Sequence, residues 1–362
     1  MSLSLDKRMV LIDCMSIGSV CGFGEICNNL CPRIASLNLP DLHFVLLVPT
    51  EYVNRFGQGV SYVTPQSLQA FMKEHKIDLW HSIHQQYTIR PQNKEILKLL
   101  CIHDLNFVYE KGLISRMKHH LIIRNRIKHS DCVTTISNFV KNDLLRYYHF
   151  EGKGLRVIYN GIKHDEEGDE VQPSFVENSQ EPFFFTIGQI RKKKNFHVLV
   201  PMMKHLPEYK LYICGDTHFK YAESLKNDIG QTPNVKLTGI ITEAEKRWLY
   251  RHCQAFLFPS KLEGFGLPVI EAMNYGCRVV SSTCTCLPEI GGAYASYWEN
   301  FEPEYMVQVV KEAIANWDRE SEAAHEMQTY ARSFSYERYI ESYINQYREM
   351  LFGSKSCAEA EQ

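Results

Sequence analysis

The sequence lacks the marks of several protein classes. No stretch approaches the ~18 apolar residues that a membrane-spanning helix needs. Lys7-Arg8 precedes an apolar run, but Asp13 cuts that run too short for a signal peptide or an anchor. None of the 12 cysteines forms a Cys-x-x-Cys pair, so zinc-finger spacing is absent. Cys21, Cys27 and Cys31 come nearest to a metal cluster, and most other cysteines sit inside apolar runs, as reduced, buried thiols do. Neither Gly-x-Gly-x-x-Gly nor Gly-x-x-x-x-Gly-Lys-Ser/Thr occurs, so the dinucleotide fingerprint and the ATP loop are both missing. Net charge is almost nil: 40 Lys and Arg against 42 Asp and Glu give −2. No global basic field is available to hold a nucleic acid, and any bound anion must meet a local cluster. A cytoplasmic protein without a nucleic-acid partner is expected.

What is present is globular. Apolar residues make up 44% and charged residues 23% of 362 residues, a length suited to two domains of ~180. Short apolar, β-branched runs at 9–13, 43–48, 77–83, 97–103, 132–136 and 156–159 alternate with helical stretches such as 25–34 and 138–148. Continuous rather than alternating hydrophobicity predicts parallel strands covered on both faces. A polar, acidic stretch beginning Asp165-Glu166-Glu167 then interrupts the pattern, which restarts at 183–187, 210–214, 235–237, 255–258 and 278–282. The reading is an α/β protein of two Rossmann-like, doubly wound domains facing a central cleft. Residues 1–165 form the first domain, 166–181 a linker and 182–334 the second. A tyrosine-rich helix at 335–351 and a polar tail at 353–362 follow. Functional residues are expected just after strands, at the carboxyl ends of the sheets.

The strongest motif runs from Phe258 to Met273. A strand ends at Phe258, Gly264 and Gly266 let backbone approach a ligand, and Pro268 suits the first turn of a helix. Free N–H groups at that helix start favour an anion. Glu263 and Glu271, with seven residues between them, would be repelled by a phosphate but can each accept hydrogen bonds from sugar hydroxyls. Glu271 suits a ribose and Glu263 a transferred sugar. After the first strand of the second half, Gly188 leads into Arg191-Lys192-Lys193-Lys194-Asn195, a local cation cluster able to meet a diphosphate leaving group. In the first half, a glycine loop containing Gly18, Gly22 and Gly24 follows the first strand, and His103-Asp104 ends another. His103 there suits a sugar hydroxyl or a proton transfer, or a satisfied histidine beside a capping aspartate.

Together these residues resemble the retaining nucleotide-sugar glycosyltransferases of family 4, which have the GT-B fold. Glu263-Gly-Phe-Gly-Leu-Pro-Val-Ile-Glu271 is similar to that family's donor-site signature, and Gly188 to Asn195 to its Gly-x-x-x-x-Arg-Lys-Asn segment. Leu287-Pro288-Glu289, Thr135-Ile136-Ser137, Asn160-Gly161 and His103-Asp104 also look like the family. The resemblance implies a UDP- or GDP-sugar donor held by the second domain. Gly22 and Gly188, Lys193 and Lys194, Glu263, the Gly264-Phe265-Gly266-Leu267 segment and Glu271 would bind it. Glu263, His103 and Lys194 would carry catalysis. It also implies that the last helix crosses back to the first domain. Lys193 replaces the usual arginine, which keeps the charge but loses the two-pronged fork. Metal and cofactor are not expected, and lysines would take the cation's part.

The implied function is transfer of a hexose to a glycan or lipid-linked acceptor in cell-surface polysaccharide biosynthesis. A nucleotide-sugar 2-epimerase of the same layout and a non-catalytic binding subunit are the alternatives, with a nicotinamide dehydrogenase disfavoured by the missing fingerprint. Arg116, His120, Arg124 and Lys128 recur every four residues, one basic row on a helix. That row would meet a lipid-linked acceptor or anionic lipid at the inner face of the cytoplasmic membrane, or simply face solvent.

Overall fold

Seven parallel strands build the first sheet: β1 (Arg8–Asp13), β2 (Leu42–Leu47), β3 (Ser61–Val63), β4 (Leu79–Ser82), β5 (Leu97–Ile102), β6 (Cys132–Thr135) and β7 (Gly154–Val157). Six build the second: β8 (Phe183–Ile187), β9 (Lys210–Cys214), β10 (Val235–Gly239), β11 (Ala255–Phe258), β12 (Val279–Ser282) and β13 (Ser296–Trp298). This is a computed structural model, describing residues 7–19, 22–150, 152–164, 168–315 and 317–353. Cys21, Asp165-Glu166-Glu167 and the tail from residue 354 lie outside the described residues.

The strand orders are β3-β2-β1-β4-β5-β6-β7 and β10-β9-β8-β11-β12-β13. Each order reverses beside its first strand, the doubly wound arrangement. Val10, Leu11 and Ile12 are all fully buried, as are Phe256, Leu257 and Phe258. Consecutive buried residues on one strand require covering layers on both faces, so apolar runs and parallel pairing are one fact. β3 and β13, three residues each at or near the sheet edges, carry too short a run to register as apolar in the sequence.

The chain divides into one unit of residues 1–161 and 335–362 and another of 162–334. At the junction the Ile162 N–H donates to the Phe334 carbonyl at 2.7 Å, closing the second unit. The acidic stretch, from residue 168 on, is not a free tether. The Arg247 guanidinium donates to the Asp169 carbonyl at 2.8 Å, Arg251 pairs with Glu170 at 3.2 Å and Val176 is buried. Glu170 meets cations on the helix Glu243–His252, and Val176 is packed inside while Val171 stays exposed.

The helix Tyr336–Phe352 belongs to the first unit and buries Tyr336, Tyr339, Tyr343 and Tyr347 along one face. Each hydroxyl that goes inside needs a partner. Tyr347 Oη meets His81 Nδ1 at 2.8 Å on β4, and Tyr343 Oη meets Thr134 Oγ1 at 3.1 Å on β6. Burial pushes His81 down to about 3, so it stays neutral. The ten described cysteines are free thiols and nine are buried. Cys14 at the end of β1 is hydrogen-bonded to Cys27 and Cys31, which raises its thiol well above the usual range.

Asp13, at the carboxyl end of β1, is 4% exposed, and burial pushes its carboxyl from 3.8 up to about 6 against one donor, the Met15 N–H. The folded chain therefore holds that proton more tightly than the unfolded one. Its contribution is fully present below pH 3.8 and lost as pH rises through 6. Asp13→Asn keeps an acceptor for Met15 and removes the penalty. We expect it to be more stable than wild type at pH 7.5 by up to about 3 kcal/mol, and so to unfold at a higher temperature, and to show little gain at pH 4. Calorimetry at the two pH values checks this.

Candidate active site

In the second unit the site is assembled from three loops at the carboxyl ends of β8, β11 and β12. The loop after β11 carries Glu263. Its Oε1 accepts from Lys194 Nζ at 2.6 Å and from Ser260 Oγ at 2.7 Å. Lys194 and Glu263 are 13% and 12% exposed in their side chains, so a desolvated pair is held between two loops. The Lys194 ammonium also lies 5.1 Å from the centre of the Phe258 ring. Backbone reinforces the junction: the Lys193 carbonyl accepts from the Lys261 N–H at 2.8 Å. The third loop contributes Thr285, whose hydroxyl receives the Glu263 N–H at 3.2 Å.

The glycines are there for close approach. Gly266 caps the helix Leu267–Asn274 at φ +94°, and a Cβ there would lie 2.7 Å from Leu287. Gly188 lies beneath the Lys194 stem. Gly215, just after β9, would put a Cβ 1.8 Å from the Gly188 carbonyl, so the turns after β8 and β9 touch only because it has none. Gly215 was not among the expected residues; a glycine directly after a strand was its only sequence signal. Phe265 is buried and packs edge-on against Phe334, so this segment can offer only backbone to a ligand. Leu267 is half-buried at the helix start.

Glu271 stands in the first turns of that helix. Tyr250 Oη donates to its Oε2 at 3.2 Å, and Lys246 Nζ lies 3.5 Å from its Oε1. Burial and this carboxylate raise the Tyr250 hydroxyl well above the usual phenol range. Tyr250 and Lys246 hold the carboxylate in place, and no motif in the sequence pointed to them. Lys193 has no carboxylate within ion-pair range among the described residues. Asn195, at φ +60° and fully buried, leaves both side-chain amide atoms without a hydrogen bond.

In the first unit, His103 is 6% exposed. Its Nε2 meets the Ile83 carbonyl at 2.8 Å, and the buried Cys101 thiol also hydrogen-bonds to the ring, which raises the imidazole above its usual range. Phe23 packs edge-on against His103 at 4.8 Å and stacks on His84 at 4.4 Å. His84 Nδ1 accepts the Gln86 N–H, so its proton sits on Nε2 and goes to Ser16 Oγ at 2.8 Å. Burial, with His103 and Arg126 adding to it, brings His84 down to about 4. Gly22 opens the helix Gly22–Ala35, and a Cβ there would meet nothing within 4 Å. Gly24 is the glycine this loop requires, since its Cβ would fall 2.0 Å from the Ser19 carbonyl.

The basic row on the helix Leu113–Lys128 does not share one solvent face. Arg124 and Lys128 are exposed, whereas Arg116 and His120 are half-buried and His120 Nδ1 meets Tyr148 Oη at 2.8 Å. A four-residue step drifts by ~40° per repeat, enough to carry a row around the helix. Among the described residues no group of three or more His, Cys, Asp or Glu is placed to hold a metal ion. No described helix is long and apolar enough to cross a membrane.

Lysines, a helix start and two carboxylates thus meet at the carboxyl ends of the parallel strands of this unit. Comparison gives the family. The Glycosyltransferase Family 4 profile matches residues 30–166 and the Glycosyl transferases group 1 profile matches 168–334. The chain belongs to these glycosyltransferases. It is 26% identical to the O-antigen chain mannosyltransferase RfbU of Salmonella typhimurium, over 61% of this chain and 69% of that protein. It is 22% identical to the serotype-specific mannosyltransferase WbdA of Escherichia coli, over 86% of this chain and 42% of that protein. The crystal structure of Anabaena HepE in complex with UDP and glucose superposes with a TM-score of 0.71 at 15% identity, over 94% of this chain and all of that one. The fold is GT-B.

Breaking the buried pair from one side strands a charge. Lys194→Ala is expected to destabilise by about 2–4 kcal/mol, and Lys194→Ala/Glu263→Gln to recover at least half of that. Denaturant unfolding of the two single variants and the double variant measures the coupling.

Proposed function

We propose that this glycosyltransferase moves a hexose from a UDP- or GDP-sugar to a glycan or lipid-linked acceptor in cell-surface polysaccharide biosynthesis, with retention of configuration and without a bound metal. The observation that carries this reading is the Lys194–Glu263 pair at the junction of the two loops, beside the helix that bears Glu271.

The chemistry follows from the charges. Lys194 donates one N–H to Glu263 and has two left for phosphate oxygens. Lys193, without an acid partner among the described residues, adds a second cation, and the helix start at Leu267 offers N–H groups. Together they meet the charge that develops on the departing diphosphate. Both bonds to Glu263 fall on Oε1, which leaves Oε2 to accept from a hydroxyl of the donor sugar. Glu271, braced by Tyr250 and Lys246, accepts from the ribose diol. Retention arises by front-face attack, the acceptor proton passing to the leaving phosphate. The mannosyltransferase relatives favour mannose and a glycan acceptor, and the HepE complex favours a uridine nucleotide.

A thermal-shift panel of UDP- and GDP-sugars tests the donor assignment. One nucleotide class is expected to raise the unfolding temperature by about 2–4 °C at near-saturating ligand without added metal, and Glu271→Ala to lose that shift. An undiminished shift in Glu271→Ala would overturn the ribose role. Release of free nucleotide and an altered sugar with no acceptor present would favour the epimerase instead.

A further inference from the structure

We propose that Cys253 and Cys277 are an oxidant-sensitive dithiol, which a peroxide closes to a disulfide that locks together the two helices holding Glu271. Both thiols are buried, and their sulfurs lie 3.2 Å apart. They stand at the amino ends of β11 and β12, away from the loops that carry Lys194 and Glu263. Cys253 ends the helix Glu243–His252, which carries Lys246 and Tyr250, and its Sγ lies 3.7 Å from the Tyr250 carbonyl. Cys277 follows the helix Leu267–Asn274, which carries Glu271, and its N–H donates back to the Ala272 carbonyl at 3.0 Å. A bond between the sulfurs therefore ties the helix that braces Glu271 to the helix that bears it.

Arg319 and Gly276 set this geometry. Arg319 donates to the Tyr275 carbonyl at 3.2 Å and to the Cys253 carbonyl, so one guanidinium caps both helix ends. Gly276, at φ +65°, turns the chain back beneath that cap, and the Trp317 indole N–H donates to its carbonyl at 3.3 Å. The same guanidinium lies 4.0 Å from Cys253 Sγ. A cation beside a thiol favours the thiolate, the form that oxidants attack. Burial opposes ionisation of Cys277, yet its hydrogen bond with Cys253 and the Arg319 charge bring it below the usual thiol range. Cys253 and Arg319 line a cavity of about 490 Å³. A water molecule takes up ~30 Å³, so hydrogen peroxide can enter.

One peroxide balances the reaction. A thiolate attacks the O–O bond and becomes a sulfenic acid, and the released hydroxide takes up the thiol proton as water. The second thiol attacks that sulfur, its proton leaves with the hydroxyl as a second water, and the S–S bond forms. Two thiols are oxidised and the peroxide is reduced. The sulfurs need to approach by only roughly 1 Å, so the helices can stay in place. Thiol reductants reverse the step.

The test treats the full chain with hydrogen peroxide, then quenches, denatures and alkylates it, and maps its peptides by mass spectrometry. A Cys253–Cys277 disulfide is expected, and dithiothreitol should reopen it. The oxidised protein is expected to unfold at least about 3 °C above the reduced one, a difference that Cys277→Ala should lack. Full alkylation of Cys253 and Cys277 after peroxide has consumed the half-buried Cys284 would overturn the proposal. So would a disulfide among Cys14, Cys27 and Cys31 in its place, or a disulfide that leaves the unfolding temperature unchanged. One further expectation rests on the ribose role of Glu271. Whichever of UDP-glucose and GDP-mannose binds the reduced protein should bind the oxidised one about threefold tighter, since the support of Glu271 is already ordered. Equal affinity would overturn the link to Glu271. A disulfide that forms in a protein binding neither nucleotide sugar would count against the donor reading and for the dithiol.

Discussion

A lysine and a glutamate, nearly stripped of water, join two loops that are 69 residues apart in sequence. Taking both charges out of solvent is costly, and the pair is tolerable only because its geometry is short and a serine hydroxyl and an aromatic face share the load. Everything placed around it depends on that junction. The Lys193 carbonyl can meet the Lys261 N–H, and the helix at Leu267 can start where it does, because the loops are pinned there.

The two parallel sheets explain why the pinning is possible. Parallel pairing sends every strand-to-helix turn to the same end of a sheet, so residues from β8, β11 and β12 converge without any long excursion. The close approach of the turns after β8 and β9 is bought with a missing side chain at Gly215. The first unit meets a different demand. Its last helix arrives from the far end of the sequence and buries four tyrosines, and His81 and Thr134 supply partners for two of their hydroxyls. That helix is thereby tied to the sheet by polar contacts that tolerate few substitutes.

Much of the fold was legible in the residues. Continuous apolar runs gave eleven of the thirteen strands, several to the residue, because a strand buried on both faces has no alternative composition. β3 and β13 escaped because a three-residue strand needs no such run. The acidic stretch after residue 165 looked unstructured, since its sequence has no periodicity; the partners that fix it, Arg247 and Arg251, are some 80 residues away. At the site, Glu263, Glu271 and Lys194 announced themselves by spacing and by charge. Tyr250 and Lys246, which brace Glu271, did not, because a tyrosine and a lysine on a helix have many ordinary uses.

The sequence by itself determined the class of architecture, the charged residue types that follow the strands of the second unit and the absence of a general basic field, all of which follow from local composition and pattern. Tertiary structure alone decided which carboxylate faces which ammonium, which groups engage the imidazole of His103, and which side of the helix Leu113–Lys128 stays uncovered. Periodicity records that a helix has a face; only the packing of distant segments determines whether that face is covered.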